Sequence, residues 1–172
     1  MKTHFFFLLS GLFLIVFFWA DHTTTGNASD RLGALFPEMK PWELKAMSLS
    51  DDAGNELIFK RIMCVWKVGE ENLPTNEVKV SALADALLGL HSSKVGGKGD
   101  STFADFRVDE NAYDLKVTVE AGESSRVSVY FGKGKKVRTA YARFQQGEEV
   151  HLVEGIDLDE IHLQEKVWQT ES

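Results

Sequence analysis

Leu115–Phe144 reads LKVTVEAGESSRVSVYFGKGKKVRTAYARF. Leu115, Val117 and Val119 alternate with Lys116, Thr118 and Glu120. That period of two marks a strand with one dry and one wet face. Ala121–Ser125 supplies small and polar turn residues, and Val127, Val129 and Phe131 form the answering strand. Gly132-Lys133-Gly134-Lys135 is the next turn, and Val137–Phe144 follows as a third strand. Val150–Val153 extends the series across Gln145-Gln146-Gly147. Turns this short join antiparallel neighbours, so the segment reads as a meander.

Towards the N-terminus the same pattern recurs. Leu44–Ser50 alternates, with Leu44, Ala46 and Ser48 expected on one side and Lys45, Met47 and Leu49 on the other. Asp51–Asn55 is a turn, Leu57–Arg61 a second strand and Val65–Val68 a third. Pro74-Thr75 then opens a helix, with Thr75 as the expected N-cap and Glu77 at the positive end of the dipole. Val80, Leu83, Ala84, Leu87 and Leu90 fall at helical spacing and give it one apolar face. Ser92–Asp100, with Gly96, Gly97 and Gly99, reads as a loop. Beyond the meander, Asp157–Gln164 reads as a short acidic helix capped by Asp157. The expectation is an α+β domain of antiparallel meanders, one central helix and a short C-terminal helix. The order suggests two βββα-like halves.

The domain boundaries follow from composition. Phe5–Ala20 (FFFLLSGLFLIVFFWA) runs sixteen residues without a charge, after Lys2. As a helix it spans about 24 Å, against a hydrocarbon core of roughly 30 Å. Its length lies between a signal-peptide core and a full anchor. An uncleaved membrane helix over 1–20 is favoured, with Trp19 at the interface and the domain outside; a cleaved segment would release a secreted domain. Residues 21–34 read as a polar linker and 35–172 as an extracytoplasmic domain.

The net charge is −7. An acidic domain repels phosphate backbones, which argues against nucleic-acid partners. The single cysteine, Cys64, excludes an internal disulfide, and its apolar neighbours Ile62 to Val65 point to a buried thiol. Core or hinge packing is expected for Trp42, Trp66 and Trp168.

No catalytic, cofactor or metal site is expected. His151 and Glu154 lie three apart on a strand and so face opposite ways, while His162 and Glu165 lack the third ligand that a metal needs. The Gly132–Lys136 turn lacks the spacing and following helix of a phosphate loop. The distinctive feature is charge: Arg126, Lys133, Lys135, Lys136, Arg138 and Arg143 occur with no acid between them, ahead of a strongly acidic C-terminal stretch. Such a hairpin suits an acidic partner, anionic headgroups or this protein's own acidic tail.

Several blocks in order resemble the domain-of-unknown-function 4340 family of bacterial membrane-anchored proteins. They are Trp66-Lys67-Val68, the helix with Val80, Leu83, Leu87 and Leu90, Phe106–Glu110, Phe131-Gly132, Tyr141-Ala142-Arg143 and Val150–Val153. Arg107 stands where the family pattern has glycine. The resemblance runs from about Leu35 to Trp168. It implies a non-enzymatic envelope component, single-pass in a bacterial inner membrane with its domain on the periplasmic side. It further implies protein partners such as ABC transporter subunits. The alternative reading is an envelope lipid- or glycan-binding module that uses the 126–143 hairpin.

Overall fold

The computed structural model describes residues 35–36, 39–122 and 125–170. The expected membrane segment Phe5–Ala20 and the linker 21–34 lie outside the described residues. Among the described residues no helix is long and apolar enough to cross a membrane.

The chain builds one large antiparallel sheet. Its strands are β1 (Leu44–Ser50), β2 (Glu56–Ile62), β3 (Val65–Val68), β4 (Leu73–Pro74), β5 (His91–Lys98), β8 (Leu115–Ala121), β9 (Ser125–Lys133), β10 (Thr139–Phe144) and β11 (Glu149–Glu154). The order is β4-β3-β2-β1-β8-β9-β10-β11-β5. A small hairpin, β6 (Val108–Asp109) with β7 (Ala112–Tyr113), stands apart from it. The helices are α1 (Glu77–Leu88), α2 (Asp100–Asp105) and α3 (Glu165–Trp168). The fold is therefore mostly antiparallel sheet with a few helices, as the alternation predicts. The two meanders do not form separate halves. β1 pairs with β8, Met47 opposite Val119 and Leu49 opposite Val117, and fuses them into one sheet.

One face carries the main core. Met47, Leu49, Leu57, Phe59, Val117, Val119, Val129 and Phe131 pack there with Val80 and Leu87 of α1, all of them buried. Trp168 closes this core edge-on against Phe59, ring centroids 5.3 Å apart. The opposite face carries a second small core at the β9–β5 side, formed by Phe103 of α2, Val108 of β6, Tyr130 and Val150. Among the described residues the rest of that face is partly open towards β2, with Ile58 half-buried and Lys60 exposed.

Several expectations change, each for a local reason. In β1 the pairing register shifts between Leu44 and Ala46, a bulge that turns Leu44 into the core with Met47 and Leu49. Thr75 does not cap α1; it is buried and its hydroxyl donates to Trp66 O at 2.9 Å. Asn76 is the N-cap, its side chain accepting from Lys79 N. Ser92–Asp100 is not a loop: β5 pairs with β11 through two register shifts, and its glycines permit the close packing. A Cβ at Gly97 would meet Thr102 Cγ2 at 2.6 Å. The acidic helix over Asp157–Gln164 shrinks to a single 3-10 turn, Leu158–Glu160, with Asp157 capping Asp159 N. The chain is extended beyond it because Ile161 and Leu163 pack against the core on alternate residues.

The β2–β3 turn departs furthest from expectation. Met63 and Cys64 have φ +50° and +66°, the pair of left-handed residues that a tight hairpin turn requires. The turn lifts both from the core, so Cys64 is exposed rather than buried. Trp42 is 68% exposed, whereas Trp66 and Trp168 are buried.

Candidate functional site

Antiparallel register divides the six cations. Arg126 lies at the start of β9 and Lys133 at its end, about 25 Å apart at the rise of a strand. Arg126 is exposed and sits 3.6 Å from Glu120, its cross-strand neighbour. Lys133, Lys135, Lys136 and Arg138 gather at the far end, in the β9–β10 turn. Arg143 is not on the surface.

The turn is clamped. Thr139 Oγ1 donates to Lys136 O at 2.7 Å and receives Lys136 N at 3.2 Å. Gly134 N donates to Thr139 O at 3.0 Å. The approach is close enough that a Cβ on Gly134 would meet Thr139 Oγ1 at 2.1 Å, so only glycine fits. Arg138 adopts φ +57°, and its guanidinium donates to Gly155 O at 3.1 Å. Lys133 Nζ lies 2.5 Å from Asp159 Oδ1, and this hydrogen-bonded carboxylate raises the ammonium pKa above its ordinary value. The acidic stretch thus neutralises part of the turn. Lys135, Lys136 and Val137 remain exposed, Val137 at 85%. No ion pair among the described residues involves Lys135 or Lys136.

Arg143 serves the interior. It is 6% exposed, and among the described residues no carboxylate forms an ion pair with it. Nε donates to Val108 O at 2.7 Å, and Nη1 reaches the carbonyls of Phe144, Gln145 and Gly147 at 3.3–3.4 Å. The guanidinium lies 4.3 Å from the Phe103 ring centroid and 5.1 Å from that of Tyr130. A buried charge is tolerated where carbonyls and aromatic faces replace its water. Arg143 fastens the β6 hairpin and the β10–β11 turn to the sheet.

A second charged cluster escaped the sequence reading. Arg107, between α2 and β6, has φ +52°. Its Nε donates to Asp114 Oδ1 at 2.6 Å, and Nη2 donates to Asp52 Oδ2 at 2.7 Å and to Tyr113 O at 3.1 Å. The other Asp114 oxygen accepts Lys133 N at 2.7 Å. Hydrogen bonds to both aspartates raise the guanidinium pKa further, Asp114 most. The signal was present in the glycine that Arg107 replaces: the left-handed turn persists, and the arginine fills it.

The histidines do not converge. His151 Nδ1 lies 3.0 Å from Ser92 Oγ, and burial lowers its pKa, partly opposed by Glu149. His162 contributes only its carbonyl, which accepts Trp168 Nε1 at 2.7 Å. Among the described residues no three His, Cys, Asp or Glu side chains are placed to hold a metal ion.

Residues 66–172 match the family model for the domain of unknown function DUF4340. The chain belongs to this family. The DUF4340 match begins in β3, yet β1 and β2 complete the same sheet through the β1–β8 pairing. No curated protein and no solved structure matches the chain.

Proposed function

We propose that this DUF4340 chain is a membrane-tethered, non-enzymatic accessory domain on the extracytoplasmic side of a bacterial membrane. It binds a protein partner of an envelope or ABC-transport-type assembly through the β9–β10 turn. One observation carries the reading. On a chain of net charge −7, Lys135 and Lys136, which form no ion pair among the described residues, stand beside exposed Val137 on a turn that Thr139 and Gly155 hold rigid. A fixed positive pole on an acidic body steers an acidic partner into one orientation. The apolar run Phe5–Ala20 supports the tether.

The lipid- or glycan-binding alternative drew on all six cations as one surface. With Arg126 at the other end of β9 and Arg143 buried, a protein contact confined to the turn accounts better for what is exposed.

The test is a photo-crosslinker at Val137 in native membranes. A discrete adduct is expected, abolished by Lys135→Glu with Lys136→Glu and retained with Arg126→Glu. An adduct indifferent to both reversals would overturn the reading.

A further inference from the structure

We propose that the β2–β3 tip and the partly open sheet face beside it dock on an anionic lipid bilayer. The docking draws on the membrane tether proposed above but uses residues outside the basic turn.

The tip presents apolar side chains to solvent. Met63 is 93% exposed, Trp42 68%, Val65 43% and Ile62 40%. Arg61 gathers them: its guanidinium donates to Pro41 O at 3.2 Å and to Cys64 O at 3.5 Å, joining the Trp42 segment to the tip. Ile62 and Val65 are direct cross-strand partners, and the next partners on that face are Lys60 and Lys67. Like charges placed opposite each other destabilise a strand pair, so this pairing serves something other than the sheet. Lys40 adds a cation, its Nζ 5.3 Å from the Trp42 ring. Of the nearby acids, Glu77 accepts Trp66 N and Glu120 faces Arg126, while Glu43 stands exposed next to Trp42 and offsets one of these cations. Apolar residues and an interfacial tryptophan rimmed by lysines are the composition that inserts among anionic headgroups.

Position agrees. Leu35, Phe36, Met39 and Glu43 border one groove with Ala121, Ser125, Arg126 and Phe144, so the chain passes the tip's end of the sheet on its way from Leu35, which is held by Leu90 O, into β1. The stretch 21–34 that precedes it reaches at most about 50 Å. The basic turn lies at the opposite end, free to meet a partner.

Cys64, the one cysteine and an exposed one, permits a direct test. The full chain, labelled there with a small fluorophore, is placed in vesicles of equal parts phosphatidylglycerol and phosphatidylcholine. Nitroxide-bearing lipid is expected to quench the label while aqueous iodide does not. A label at Val137→Cys, in a Cys64→Ser background, should behave in reverse. Lys60→Gln with Lys67→Gln should lower the docked-to-undocked ratio about 25-fold, and Met63→Asp should also abolish lipid quenching. A Cys64 label as open to iodide in vesicles as in detergent overturns the docking. So does equal lipid quenching at both positions, or shielding that appears only when membrane proteins are added. An alkaline carbonate wash of the same vesicles reads the tether separately. Release despite lipid quenching at Cys64 refutes the tether alone, and retention with iodide-accessible Cys64 refutes the docking alone.

Discussion

Replacing Arg107 separates backbone strain from ion pairing. At φ +52° an L-residue's Cβ crowds the following carbonyl, at about 1–2 kcal/mol. The guanidinium offsets this through Asp114 and Asp52. With the arginine side chain 48% exposed, each pair contributes about 0.2–1 kcal/mol. Arg107→Ala keeps the strain and loses the pairs, so it should destabilise by about 1–2 kcal/mol. Arg107→Gly loses the pairs and the strain together, and glycine's freedom in the unfolded chain takes back about 0.4–1 kcal/mol. Glycine should therefore exceed alanine in stability by about 1 kcal/mol. Urea unfolding in mild detergent, followed by tryptophan fluorescence, measures the difference, because Trp66 and Trp168 are buried. A glycine variant no more stable than the alanine variant would refute the strain argument.

Other substitutions follow from the same contacts. Arg143→Lys should cost about 2–3 kcal/mol, since an ammonium cannot reach Val108 O and the three turn carbonyls together; a near-neutral urea midpoint would contradict the interior role. Gly132→Ala would set a Cβ 1.8 Å from Phe106 O and should destabilise by about 3 kcal/mol or more, with increased hydrogen exchange in β6. His151, its pKa lowered by burial, binds its proton more weakly folded than unfolded. Its contribution to stability is then complete above the ordinary value of 6.5 and is lost as pH falls through the lower folded value. His151→Gln should flatten that acid-side decline in urea midpoints measured across pH.

Much of the sheet was legible because alternation reports local burial. Leu115–Glu120 and Val65–Val68 are the strands that were read, although Thr118, expected on the wet face, is buried with its hydroxyl against Ser128 Oγ. β5 was hidden because Gly96 and Gly97 have no side chains to alternate, and its partner residues lie 51 to 63 positions on. The bulge in β1 broke a period that sequence alone takes as constant. Ile62–Val65 misled for a related reason: an apolar run was read as buried, while two left-handed residues carry it round a turn into solvent. The basic block was seen as composition, but composition does not count strand length. Only register shows that Arg126 and Lys133 occupy opposite ends of β9 and that Arg143 turns inward.

The β1–β8 seam governs when this sheet can close. A chain emerging N-terminus first can form β1 through β4 and α1 early, but β1 keeps one backbone edge bare until β8 arrives. β5 waits in turn for β11, which follows only after five more strands, three of the large sheet and two of its side hairpin, have been made. Pairings that span such distances slow folding and leave sticky edges exposed meanwhile. Truncation before Leu115 should strand the first meander with its core row, Met47 and Leu49, facing no neighbour on that side.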